Sequence, residues 1–310
     1  MARPAGLSRR PGGSSPAILH RCLFAALLAL GLQAGPGGAL ARDGAERPAG
    51  LPPAPLALTP EARAEAFQDS VRLYGRQARA GEIRAQYLFG YLYEFGLGVE
   101  RDLAVAADWY GKAAAGGSRD AQFRLGMLYL QGQVAAGSAA QAAEFFRQAA
   151  EQGLAAAQLN LAIMLEAGQG MAADPAAAAR WYRAAALQGN AEAQNNLGLL
   201  YVTGAGVDRD IAEGVRWLRL AARQGSADGL LNLARLHADG IGVPQDLVMA
   251  YALLLRVTED AAPAETAALA ARVREAMSAS LSPAEIAAAE RLSADPGLLT
   301  GTATGTAGDR

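Results

Sequence analysis

One phrase returns five times at a constant interval of 36 residues: Gly81–Gln86, Gly117–Gln122, Gly153–Gln158, Gly189–Gln194 and Gly225–Leu230. A period of this length without a slip constrains the chain to a stacked array of one supersecondary unit, because a unit so short cannot bury its apolar face alone. Arrays of this kind present extended surfaces, so function is expected in binding rather than in chemistry.

Two helices fit within each period. The first runs from about Glu82 to Phe95, with Ala85, Phe89, Leu92 and Tyr93 recurring at helical spacing and forming one apolar stripe. Leu125, Leu161, Leu197 and Leu233 stand where Phe89 does. The next position is always small (Gly90, Gly126, Ala162, Gly198, Ala234), which predicts close approach of a neighbouring helix. A turn follows, with glycines at 96 and 98, 204 and 206, and 240 and 242. Asp102, Ser138, Asp174, Asp210 and Asp246 are then placed to cap the second helix, and Pro175 suits a first turn. That helix carries the pairs Trp109–Tyr110, Phe145–Phe146, Trp181–Tyr182 and Trp217–Leu218, flanked by small residues; both members of each pair read as core.

The set Ala85, Phe89, Gly90, Tyr93, Gly96, Gly98, Val99, Asp102, Ala106, Trp109, Tyr110, Ala113 and Ala114 resembles the repeat of the Sel1-like family, a relative of the tetratricopeptide repeats. The resemblance covers about residues 61–260. It implies an all-α fold: an α/α superhelical solenoid of five repeats (81–116, 117–152, 153–188, 189–224 and 225–260). Two departures are local. Val134 and Ala135 replace the turn Gly and Val of the second unit, so its turn is expected to differ in shape. His237, Leu253 and Leu254 replace aromatics in the fifth, as suits an end unit.

The flanks have their own signatures. Arg3, Arg9, Arg10 and Arg21 precede the apolar run Cys22–Leu32, and Ala39-Leu40-Ala41 offers a small-x-small cleavage site. Residues 1–41 therefore read as a cleavable signal peptide, cut at Ala41 or nearer Ala34, with a periplasmic or secreted destination and no stable membrane span afterwards. Residues 42–58, rich in Pro and Ala, read as a flexible linker. Residues 59–80 read as an N-terminal capping helix, 261–294 as C-terminal capping helices, and 295–310 as a disordered tail. Cleavage removes four of the 28 basic residues and none of the 30 acidic ones, leaving a net charge of −6. That argues against a nucleic-acid partner, which calls for a basic footprint.

The catalytic inventory is thin. Past residue 41 there is one histidine (His237), one lysine (Lys112) and no cysteine. This excludes histidine-cluster metal sites and cysteine nucleophiles within one chain. No Ser lies three residues before Lys112, so the Ser-x-x-Lys signature is missing. Some Sel1-like proteins are described as β-lactamases, but with a cysteine pair in each repeat that this chain lacks. No cofactor, metal or catalytic residue is assigned. The alternatives to a non-enzymatic scaffold are a carboxylate-based envelope hydrolase and a purely structural spacer.

In tetratricopeptide arrays the first helix of each unit lines a concave groove. Carried over, the groove rows are Tyr87, Phe123, Leu159, Asn195 and Leu231; then Leu88, Arg124, Asn160, Asn196 and Asn232; then Tyr91, Met127, Ile163, Leu199 and Arg235. The resemblance implies a protein or peptide partner held by Tyr87, Tyr91, Phe123, Arg124, Met127, Asn160, Asn196, Asn232 and Arg235. In that reading the asparagines meet peptide backbone and Arg124 and Arg235 supply the neighbouring charge. A second reading has the asparagines bonding one another and tying the stack together.

Overall fold

The computed structural model describes residues 51, 60–135, 137–257 and 262–299. The expected signal peptide lies outside the described residues. Thirteen helices and no strand occur among those described. They are α1 (Pro60–Arg79), α2 (Ile83–Phe95), α3 (Leu103–Ala115), α4 (Arg119–Leu130), α5 (Ala139–Glu151), α6 (Ala155–Ala167), α7 (Pro175–Leu187), α8 (Ala191–Thr203), α9 (Ile211–Arg223), α10 (Ala227–Asp239), α11 (Leu247–Leu255), α12 (Ala264–Ser278) and α13 (Pro283–Ser293). Helices α2 to α11 are the five hairpins. Packing runs almost wholly between consecutive helices, and α12 and α13 both lie on α11.

Local chemistry sets the bounds of each hairpin. Asp102 accepts from the amides of Ala104 and Val105, and Ser138, Asp174, Asp210 and Asp246 each accept from one first-turn amide of their helices. First helices end on a left-handed glycine at 96, 168, 204 and 240. The turn of the second unit does differ: α4 is one residue shorter, and its C-cap Gln131 is right-handed.

The second turn glycine has a packing reason. At Gly170 and Gly206, with φ of 73° and 72°, a Cβ would lie 2.4 Å from backbone atoms of Ala139 and Pro175. Those residues open the second helix of the preceding unit, so the turn of one repeat rests on the helix start of the one before. The small residue after the core leucine behaves as expected. A Cβ on Gly90 would meet the Tyr110 ring at 2.8 Å, and one on Gly126 the Phe146 ring at 2.8 Å.

The aromatic pairs divide rather than sharing the core equally. Tyr110, Phe146, Tyr182 and Leu218 are fully buried within their own hairpins. Trp109, Phe145 and Trp181 are half-buried. Trp181 packs on the cores of both the second and third units, and Trp217 packs back into the third. The inner member of each pair fills a hairpin; the outer one joins neighbours.

The anchor phrase itself is a hydrogen-bond device. Gln122 donates to the Ala114 carbonyl (3.3 Å) and accepts from Gln152 (2.8 Å). Gln158 donates to Ala150 (3.2 Å) and accepts from Gln188 (2.8 Å), and Gln194 donates to Ala186 (3.1 Å) and accepts from Gln224 (2.7 Å). Each glutamine adds a second donor to a last-turn carbonyl of the preceding second helix, which already accepts from the amide of the glycine that opens the anchor phrase. Leu230 ends the ladder in the fifth unit.

Most of residues 42–58 and all of residues 300–310 lie outside the described residues, and three leucines of the flanking segments that are described are buried. Leu51, inside the expected flexible linker, is buried in the N-terminal core cluster. Leu298 and Leu299, inside the expected disordered tail, are buried beside α11, where Arg223 Nε donates to the Leu299 carbonyl at 2.8 Å.

Candidate interaction surface

The groove rows lie on the first helices, α2, α4, α6, α8 and α10, and their character changes along the array. Tyr91, Phe123, Arg124, Met127, Asn160 and Ile163 are buried, as are Leu88 and Leu159. Tyr87, Asn196, Leu199, Asn232 and Arg235 are partly exposed. The accessible part of the predicted surface therefore falls mainly in the fourth and fifth units.

At the N-terminal end Arg124 reaches back to Glu94 (Nη1 to Oε1, 3.4 Å), and the Tyr110 hydroxyl donates to the other Glu94 oxygen at 2.5 Å. The guanidinium lies 5.4 Å from the Tyr91 ring centre and 5.3 Å from that of Phe95. Burial and the facing Glu94 carboxylate push the Tyr110 hydroxyl well above the usual phenol range. Tyr87 is pushed up to about 12, mainly by burial, against the pull of Arg124. Arg124 is thus held within the wall of the groove between a carboxylate and aromatic rings.

Two units further on, the same positions make a second network. The Tyr182 hydroxyl donates to Glu166 at 2.7 Å and accepts from Asn196. Asn195 donates to Asn196 at 3.1 Å, and Asn232 donates to Asn195 at 2.9 Å. Every donor points toward the Glu166 carboxylate, an arrangement in which each bond polarises the next. The relay runs from the third unit to the fifth.

Between these networks the pattern lapses. Leu130 and Phe146 replace the Glu–Tyr pair, so Asn160 has no carboxylate or hydroxyl at the corresponding places. Its amide nitrogen turns back to the Ala156 carbonyl at 3.0 Å, while its Oδ1 is buried without a hydrogen bond. The asparagine row is therefore not one continuous ladder. Asn196 and Asn232 are linked through Asn195, and Asn160 bonds to Ala156 in its own helix and, weakly, to the Met127 sulfur at 3.9 Å in the unit before.

One carboxylate stands apart. Glu192, in the first turn of α8, has Asp228 at the same place one unit on. Burial, then the Asp228 charge, raises its pKa to about 7. His237 occupies the tyrosine slot of the fifth unit; burial lowers its pKa, and its Nδ1 has no hydrogen-bond partner. Its ring interacts with the Pro244 backbone. No group of three or more metal-ligating side chains occurs among the described residues. No described helix is long and apolar enough to cross a membrane.

The model of the Sel1 repeat matches five consecutive stretches: residues 83–118, 119–154, 155–190, 191–226 and 227–256. The chain belongs to the Sel1 repeat family. Its solved relatives agree. A Sel1 repeat protein from Oxalobacter formigenes superposes with a TM-score of 0.60 at 32% identity, over 66% of this chain and 84% of that one. The protective antigen c5321, present in uropathogenic Escherichia coli strains and displaying an SLR fold, gives 0.50 at 27% identity, over 73% of this chain and 56% of that one. No curated protein matches significantly.

Within this Sel1 array, the family signature accounts for Gly90, Asp102, Tyr110 and their counterparts, which build the hairpins. It does not account for Glu94, Glu166, Asn195 or Glu192. Reading one period at a time conceals the first two, because Glu94–Tyr110 and Glu166–Tyr182 recur at twice the repeat length and alternate with Leu130–Phe146 and Val202–Leu218. Comparing alternate units is the signal that would have found them.

Proposed function

We propose that this Sel1 repeat protein is an exported, non-enzymatic scaffold that holds an extended peptide or partner protein on the concave face of its fourth and fifth units. The observation that carries this reading is the residual exposure of Asn196, Leu199, Asn232 and Arg235 on a surface whose N-terminal half, Tyr87 apart, is buried. Amide groups offer donor and acceptor together, which suits a peptide backbone. Arg235, which makes a loose ion pair with Asp239 at 3.8 Å, supplies charge at the rim. Export rests on the basic start, the short apolar run and Ala39-Leu40-Ala41; N-terminal sequencing of the exported protein is expected to begin near Arg42, and an intact Met1 in the membrane fraction would contradict it.

A second reading is favoured by the relay itself: Asn196 and Asn232 hold repeats together, and partners bind elsewhere. One variant separates the two. Asn196→Ala is expected to weaken capture of envelope proteins at least tenfold while lowering the melting temperature by only a few degrees. Lost stability with capture unchanged would leave the amides as mortar between repeats.

A further inference from the structure

Glu94 and Glu166 occupy the same place two units apart, yet their surroundings differ. Each carboxylate accepts from the tyrosine of its own hairpin, Tyr110 at 2.5 Å and Tyr182 at 2.7 Å. At Glu94 an arginine completes the set. Arg124 of the next unit meets the second oxygen at 3.4 Å, and both partners are buried. A second arginine, Arg101, donates to the Glu94 backbone carbonyl at 2.9 Å. Neither arginine has a counterpart at Glu166. Asn196 stands in place of Arg124 and donates to the Tyr182 hydroxyl instead, and Ala173 stands in place of Arg101. The same carbonyl does find a donor in the fourth and fifth units, where Arg209 serves Val202 and Gln245 serves Ala238. The Phe95 ring beside Arg124 is lost as well, because Ala167 takes its position. Glu166 is accordingly exposed, whereas Glu94 is only 9% exposed. Among the described residues Tyr182 is its one hydrogen-bond partner, and no ion pair reaches it.

Two further features favour a cation here. Glu166 lies in the last turn of α6, at the negative end of the helix dipole. Glu192 also acts on the Tyr182 hydroxyl, so a second acid lies close by. The first unit shows, within the same chain, that this pairing of carboxylate and tyrosine holds a guanidinium. We propose that Glu166, backed by Tyr182, is a docking site for an arginine side chain of a peptide or protein partner, which takes the place that Arg124 fills at Glu94. A guanidinium presents a planar fork of donors that matches a carboxylate, and the exposure of Glu166 leaves its approach open. The site stands whether Asn196 and Asn232 hold a partner or tie repeats together.

The test is a titration of the full chain with an end-blocked Gly-Ser-Arg-Ser-Gly peptide, followed by NMR at the backbone amides of Glu166 and Ala167. The same peptide with citrulline, a neutral isostere of arginine, is the comparison. The arginine peptide is expected to bind at least fivefold more tightly than the citrulline peptide. Glu166→Gln keeps an oxygen for the Tyr182 hydroxyl and removes the charge, so it is expected to erase that preference while barely moving the melting temperature. Asn196→Arg rebuilds the first-unit set in cis and is expected to erase the preference by occupying Glu166. Equal affinity for the two peptides, binding of neither, or a preference that survives Glu166→Gln would overturn the proposal.

Discussion

Tyr182 and Trp181 are adjacent in sequence and act on different neighbours. Tyr182 fills the third hairpin and carries the hydroxyl through which Asn196 is linked to Glu166. Tyr182→Phe keeps the packing and removes that link, leaving an amide donor and a carboxylate short of a partner; a loss of about 1–3 kcal/mol is expected. Chemical denaturation measures it, and an unchanged midpoint would mean the relay carries no stability. Asn160 is the converse case, because its buried Oδ1 has nothing to bond. Asn160→Leu, the residue type of its first-unit counterpart Leu88, is expected to hold or raise the melting temperature although it removes a buried hydrogen bond to Ala156. Two titrating residues give opposite pH responses. Glu192 is raised to about 7, so the folded chain holds a proton that the unfolded chain releases, and its contribution is full below about pH 4.5 and lost as pH rises through about 7. His237 is lowered, so the unfolded chain protonates first, and stability falls as pH drops below about 6.5. Glu192→Gln is therefore expected to flatten the decline in stability between pH 5 and 8 while leaving the decline on the acid side. Melting curves across that range check this; an unaltered profile would mean Glu192 is not the group responsible.

At the scale of the helices and turns, two glycine requirements separate cleanly. Gly189 has φ of 89° and nothing within 4 Å of an added Cβ, so Gly189→Ala meets only the left-handed backbone cost, about 1–2 kcal/mol. Gly206 has φ of 72° and the Pro175 backbone 2.4 Å away, so Gly206→Ala meets the same cost and a collision with backbone. Gly206→Ala is expected to be the more damaging by at least about 1 kcal/mol; equal losses in thermal melts would show that the turn does not rest on the preceding unit. Much of this scale was legible in the sequence. The N-caps, the turn glycines, the small residue beneath each aromatic and the altered turn of the second unit follow from residue types at fixed offsets. The split within each aromatic pair was not, because Trp181 and Tyr182 are both large and lie on one side of the helix, and only the pitch of the stack decides which faces inward. The glutamine ladder was visible as the end of the anchor phrase, but its role depends on the partners Gln152, Gln188 and Gln224, which lie 30 residues away in sequence.

Over the whole molecule, stability is a sum of hairpins and the interfaces between them, and the ends carry their own covers. The C-terminal cover extends past α13 to Leu299, held by Arg223 from the fourth unit and by Arg256 on the Asp295 carbonyl at 3.5 Å. Composition concealed this: a stretch of Gly, Thr and Ala reads as disorder, and two leucines ahead of it are enough to dock the part that contains them. The candidate surface was legible as three rows of positions, because the period places equivalent residues in line. Their accessibility was not, since it depends on how tightly successive first helices pack, and Arg124 and Asn160 proved buried where peptide contacts were expected. External partners are expected to meet the concave face of the fourth and fifth units. A photo-activated crosslinker placed at Leu199 tests it most directly, with one at Leu187, a 70% exposed position at the end of α7, as the comparison. A discrete crosslinked partner is expected from position 199 in envelope preparations, lost on Arg235→Ala, and none from 187; the same adducts from both positions, or adducts from 187 alone, would place the partner elsewhere.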